Sequence, residues 1–245
     1  MVGEHVASGA VETFHWEEAE ERLRPLLEEG RFRLDPKRST FVRESDDQGA
    51  AVIITTPPVV PLPSGLLAAA GDDSAAAFAR RRKREATEDD LATFLDAYPE
   101  ELPRQCVILA QAGAVAMAMF ESGEPLATKS FKRYVVRGNG RAQPAYLNSK
   151  GKSRYGSRLR LQNARQMIEE TNSRLDEFWK EHGAPDQILV GAPLKLWAEH
   201  FLAPVKPPFD RETPITRIPL DVPVPTTSVL LRTYRSLQYG QIRRS

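Results

Sequence analysis

Cys106-Val107-Ile108-Leu109-Ala110-Gln111, then Ala112-Gly113, then Ala114-Val115-Ala116-Met117-Ala118-Met119-Phe120-Glu121 is the stretch that decides the architecture. Two apolar runs flank a tight Ala-Gly connection, the pattern of an antiparallel hairpin. Ser122-Gly123-Glu124-Pro125 turns the chain again, into a third extended run from Thr128 to Val136. A meander is therefore expected, with Cys106 inside its first strand as a small buried hydrophobe.

Toward the C-terminus a loop of roughly twenty residues follows, longer than ordinary connections and of the length that functional loops have. Ser157 to His182 then reads as a helix, because Leu161, Ala164, Ile168, Thr171, Leu175, Phe178, Trp179 and His182 recur on one side, and Gly183 ends it. Gln187 to Gly191 is a buried strand, Ala192 to Phe201 a short helix, Ile215 to Pro225 an extended Pro-studded segment, and Ser228 to Tyr239 a last helix. Interleaved strands and helices give an α/β class with a mixed sheet flanked by helices.

Toward the N-terminus, Phe14 to Glu29 has helical spacing through Trp16, Ala19, Leu23, Leu26 and Leu27. Ala50 to Thr56 is a β-branched strand closed by Pro57-Pro58. Pro61 to Glu88, with its Ala-rich patch and the Arg80 to Arg84 basic run, reads as a connection, and Asp89 to Tyr98 resumes a helix. Two domains are expected: an N-terminal α/β extension over residues 1–88 and a second domain over residues 89–245.

The chain has 245 residues, 41% hydrophobic and 27% charged, enough for a sizeable core. Val107 to Phe120 is too short and too interrupted to cross a bilayer, and Glu4, His5 and Glu12 do not lead into a secretory signal. A cytoplasmic protein without membrane contact is expected. One cysteine and four scattered histidines give neither a disulfide nor a zinc set, so no metal or cofactor is expected.

Overall charge is balanced, 34 basic against 33 acidic residues, but its distribution is not. From Pro125 to Ile168 eleven basic residues occur without one Asp or Glu: Lys129, Lys132, Arg133, Arg137, Arg141, Lys150, Lys152, Arg154, Arg158, Arg160 and Arg165. That leaves 23 basic against 33 acidic elsewhere. Each cation singly suits a solvated surface; together they point to a polyanion, with nucleic acid the leading candidate. Known phosphate motifs do not account for them. Gly151-Lys152-Ser153 has Tyr146 where a P-loop needs its first glycine, and Gly138-Asn139-Gly140 has Gln143 where a dinucleotide fingerprint needs its third. No Gly-x-Ser-x-Gly elbow is present. What remains is Gly140-Arg141-Ala142-Gln143, a glycine-led tip presenting a glutamine among cations.

Phe131-Lys132-Arg133-Tyr134-Val135-Val136-Arg137, then Gly140-Arg141-Ala142-Gln143, then Lys150-Gly151-Lys152, then Gly156 with Leu159-Arg160 and Asn163, resembles in order and spacing the release-factor-like peptidyl-tRNA hydrolases of the Vms/ankyrin-zinc-finger (VLRF) type, including bacterial relatives. The likeness runs from about Arg104 to Tyr239 and takes in Arg217-Ile218-Pro219 and the helix with Leu231, Tyr234 and Leu237. The ankyrin repeats and zinc finger of eukaryotic members are missing. Pro144 follows the glutamine, and Gln162 and Ala164 stand where the family's helix often has Tyr and Glu.

The resemblance implies an RNase-H-like sheet with a long basic loop, as in the middle domain of eukaryotic and archaeal release factors. It implies hydrolysis of peptidyl-tRNA on the large ribosomal subunit, with Gln143 and Gly140 at the reacting ester and no cofactor. Lys132, Arg133, Arg137, Arg141, Lys150, Lys152, Arg154, Arg158 and Arg160 would then meet tRNA and rRNA phosphates, and Tyr146 and Tyr155 would stack on bases. Tyr134 and the histidines are expected to pack, and the protein is taken as a monomer. Two other readings stay open: a tRNA endonuclease cutting near the CCA end, and a non-catalytic ribosome-binding or RNA-binding factor.

Overall fold

The computed structural model describes residues 11–35, 38–43, 51–68, 89–135, 152–219 and 221–244. Among these are ten strands: β1 (Val11–His15), β2 (Arg33–Asp35), β3 (Thr40–Arg43), β4 (Val52–Thr55), β5 (Gln105–Gln111), β6 (Ala114–Glu121), β7 (Glu124–Lys132), β8 (Gln187–Gly191), β9 (Thr216–Arg217) and β10 (Tyr239–Arg244). They form two mixed-length five-stranded sheets, ordered β1-β10-β4-β3-β2 and β7-β6-β5-β8-β9. The chain divides into two units, Met1–Glu101 with Arg235–Ser245, and Leu102–Tyr234. No helix among the described residues is long and apolar enough to cross a membrane.

In the first unit every pairing is antiparallel. Phe14 stands opposite Gly240, and Ile242, Ile54 and Phe41 align across three strands, so one face of the sheet is buried. The helix expected over Phe14–Glu29 is broken up. Phe14 and His15 belong to β1, and the rest is a 3-10 turn (Trp16–Glu18), a short helix (Ala19–Leu23) and a second 3-10 segment (Arg24–Glu29). Pro25 at the start of that last segment has no N–H to continue an α-helical ladder, while Leu23 and Leu26 still reach the core.

The helix Asp90–Asp96 also belongs to this unit, which shifts the expected boundary at residue 88. Its cap explains the attachment. The Asp89 carboxylate accepts from Leu91 N, Ala92 N and, across the chain, Phe32 N at 2.9, 3.2 and 3.3 Å. Asp90 accepts from Leu34 N at 2.8 Å. β1, β2, β3 and β10 are not among the strands that the sequence predicts; in particular the last helix stops at Leu237, and Tyr239 opens β10. Arg244 in β10 binds both oxygens of Glu29 at 2.8 and 2.9 Å, holding that carboxyl below its usual range.

In the second unit β5, β6 and β7 form the expected meander, and β8 and β9 add in parallel to β5. β6 alone runs against the other four. The third strand begins at Glu124, not Thr128, because Ser122 (φ 47°) and Gly123 (φ 87°) complete the turn by themselves. Pro125 is tolerated there because β7 is an edge strand. The long helix spans Lys152–His182, starting earlier than Ser157, and the short helix spans Leu194–His200. Met167, Leu175 and Phe178 of the long helix pack with Cys106, Ile108, Met117, Met119, Ile188, Val190 and Trp197. Burial pushes the Cys106 thiol well above its ordinary pKa, so it is an inert core group.

Two neutral polar networks fix this core. The Tyr234 hydroxyl donates to Gln105 Oε1 at 2.6 Å, Gln105 Nε2 to Gln187 Oε1 at 2.5 Å, and Gln187 Nε2 to Thr216 Oγ1 at 3.0 Å, joining the last helix to β5, β8 and β9. Asn172 Nδ2 donates to the carbonyls of His200 and Val205 at 2.9 and 2.7 Å. Its Oδ1 must therefore accept, and His200 Nδ1, 2.8 Å away, carries the proton.

Two outcomes are expected. A Cβ at Gly240 would lie 2.3 Å from Phe14 Cζ and 2.8 Å from Thr55 O, so Gly240→Ala should cost about 2 kcal/mol, read from the urea midpoint. Burial pushes the His200 imidazole down to about 4, whereas the unfolded group titrates near 6.5. Between those values the unfolded state binds the extra proton, so stability falls as pH falls, by about 3 kcal/mol from this group at pH 4. Urea unfolding of His200→Gln should show a correspondingly shallower decline between pH 7 and pH 4 than the wild type.

Candidate functional site

The acid-free segment emerges from β7 and returns through the long helix. Gly140, Gln143, Arg137, Arg141, Tyr146 and Lys150 lie outside the described residues. Lys152, Arg154 and Tyr155 fall in the opening turns of the long helix, where the backbone alone is described. Lys129 and Lys132 are exposed on β7, Arg158 and Arg165 are exposed on the helix, and Arg160 is half-buried. None of the four exposed cations has a carboxylate partner among the described residues.

Arg133 is different. Its Nε and Nη2 donate to Glu170 Oε2 at 3.2 and 2.5 Å, and its Nη1 to Gln166 Oε1 at 3.3 Å. The guanidinium is turned onto the long helix and engaged within the chain. Tyr134, expected to pack within a strand, lies beyond the end of β7 with 53% of its surface exposed. Its carbonyl accepts from Asn163 Nδ2 at 2.8 Å.

The long helix has two halves of different character. From Arg158 to Gln166 no described side chain is buried, whereas from Met167 onward the helix supplies the core. In the second half the cations have local partners, Arg174 with Glu177 and Lys180 with Asp176. In the first half, among the described side chains, Arg158 and Arg165 have none, while Arg160 has interactions of its own. The first turn contains no acidic residue. A helix N-terminus carries about half a positive charge, and cations placed there cost about 0.3–1 kcal/mol each at an exposed site. Lys152 and Arg154, in the first turn, therefore weaken the helix end on which they sit. An external anion reverses that sign, since it gains both from the side chains and from the helix pole.

Sequence reasoning found the cations and Asn163 but not Glu170 or Gln166. The available signal was position: Glu169 and Glu170 are the first carboxylates after the acid-free segment, and Glu170 follows Asn163 at helical spacing.

No curated protein matches the sequence. Six chains of solved structures are similar; one, described as "Vms1 mitochondrial localization core", shares 12% identity over 91% of this chain and 83% of that one, at a TM-score of 0.41. A family model described as "Bacteroidetes VLRF1 release factor" matches residues 105–245, more than half of the chain and all of the basic segment. The chain belongs to this bVLRF1 release-factor family.

Proposed function

We propose that the protein is a peptidyl-tRNA hydrolase that frees nascent chains from tRNA on stalled cytoplasmic ribosomes. The observation that carries this reading is the coincidence of the release-factor family match with Gly140-Arg141-Ala142-Gln143 inside the acid-free segment. The sheet order, with β6 alone reversed, supports the RNase-H-like reading of the second unit.

The ester joining peptide to the tRNA 3′ oxygen is cleaved when a water oxygen bonds to the carbonyl carbon and the C–O bond breaks. The tRNA oxygen takes a proton, leaving an intact CCA-OH end, and the peptide departs as its carboxylic acid. Gln143 has no ionisable group near neutrality, so it is not a general base. Its amide both accepts and donates hydrogen bonds, which suits it to orient the water against the carbonyl. Gly140 leaves room for close backbone approach, and a free N–H there would stabilise the developing oxyanion. Lys129, Lys132, Arg158 and Arg165 would bind RNA phosphates without reading sequence.

Gln143→Ala should lower single-turnover peptide release from stalled complexes about a hundredfold while leaving ribosome binding intact. Equal release by both proteins would favour a non-catalytic ribosome-binding factor. Released tRNA with a trimmed 3′ end would instead mean phosphodiester cleavage. Lys132→Glu with Arg158→Glu should weaken ribosome binding and reduce the slope of log affinity against log salt by about 2. An unchanged slope would count against an RNA-facing role for these residues.

A further inference from the structure

We propose that Leu161, bracketed by Arg158 and Arg165 on the long helix, is an RNA contact in its own right, an apolar platform that seats an unpaired nucleotide while the two arginines hold the phosphates beside it. This rests on the RNA-facing role proposed for the basic segment and names the form of RNA that the helix takes.

Leu161, Ile168 and Leu175 recur at intervals of seven, a stripe on one face of the long helix that its periodicity marks as core. Ile168 and Leu175 are buried, 5% and 1% exposed, but Leu161 is 56% exposed. The apolar stripe thus runs on past the part of the helix that packs. A lone exposed leucine needs no explanation, because folded surfaces carry many. The surroundings of Leu161 are less ordinary. Arg158 stands three residues before it and Arg165 four residues after, the two spacings that make side chains neighbours on a helix. Both arginines are exposed, and neither has a carboxylate partner among the described residues. Their positions lie about 10 Å apart along the axis, with the leucine between them.

Charge fixes what occupies this face. The run without Asp or Glu extends from Pro125 to Ile168, so the sequence around the helix start offers these arginines no carboxylate. Glu169, one turn beyond Arg165, is not paired with it. The complementary charge has to come from another molecule, and that molecule has to present apolar surface between its anions. A sugar-phosphate chain with a base turned out of its stack does so, with a flat apolar face flanked by phosphates. An A-form duplex does not, because its bases are stacked inside and its shallow groove shows 2′-hydroxyls and polar base edges. One apolar side chain between two cations therefore favours unpaired RNA over duplex, a preference that phosphate contacts alone do not create.

The test measures binding of the full chain to two fluorescein-labelled RNAs of equal length, an unstructured single strand and a fully paired duplex, over a series of salt concentrations. Leu161→Ala and Leu161→Gln should each weaken single-strand binding about fivefold, with the slope of log affinity against log salt unchanged, and leave duplex binding as it is. Leu161→Met, which keeps an apolar side chain of similar size, should bind as the wild type does. Arg158→Gln and Arg165→Gln should each lower the single-strand slope by about 0.7. Because Leu161 is largely exposed, its variants should keep the wild-type urea midpoint. A lowered midpoint with unchanged RNA affinity would make Leu161 a packing residue and overturn the proposal. Single-strand binding indifferent to Leu161→Ala, or an equal loss on the duplex, would overturn it as well. A Glu-Leu peptide of the same net charge is the third ligand: dependence on Leu161 with the peptide and not with RNA assigns the face to an acidic protein segment, and the proposal falls. Wild-type protein that binds neither RNA overturns the RNA-facing role itself. Equal peptide release by wild type and Gln143→Ala removes the hydrolase reading and leaves these binding results intact.

Discussion

Positive charge gathered at the positive pole of a helix is the constraint around which the second unit is arranged. The long helix opens on Lys152 and Arg154 with no acid in its first turn, its own dipole opposes both, and Arg158 and Arg160 follow in the next turns. The helix survives because it is anchored from its other half, where Met167, Leu175 and Phe178 are buried against the sheet. Helical stability comes mainly from such packing and much less from the terminal turns, so an unfavourable N-terminus can be tolerated. Division of labour along one helix follows: the distal half holds the fold and the proximal half presents charge.

The same logic accounts for the neutral polar groups in the core. Gln105, Gln187 and Tyr234 are buried, yet every amide or hydroxyl in their chain finds a partner, and none is charged. Burying uncompensated charge beneath a cationic surface would add repulsion or demand a counter-ion, whereas a closed chain of neutral hydrogen bonds avoids both. Tyr234 adds a stacked contact with Phe120, 3.6 Å between ring centres, which fixes the last helix against the meander. Alignment of the strands beneath the basic segment is thereby set by groups indifferent to the salt and pH that govern its surface.

Much of this was legible in the residues. The hairpin through Ala112-Gly113 and the strand Gln187–Gly191 are apolar and lie where that pattern places them, while the long helix follows its periodic part and extends upstream of it to Lys152. The first unit was hard to read for a physical reason. β2, β3 and β10 are short and carry Arg33, Arg43, Arg243 and Arg244, and β10 gains its burial from partners far away in sequence. Local pattern cannot reveal such strands, because their apolar faces amount to one or two residues each. The cations of the candidate site were visible as a run without acids, but the engagement of Arg133 was not, since its partner lies 37 residues away.

β10 occupies the second place in its sheet, between β1 and β4, although it is made of residues 239–244. During synthesis β1 and β4 emerge long before the strand that must separate and join them, and they wait with unmatched backbone edges. A translation product halted short of residue 239 keeps those edges open and exposes Phe14 and Ile54, which the finished sheet buries. Such a fragment would be sticky and readily degraded, so only a chain carried through β10 yields a durable first unit.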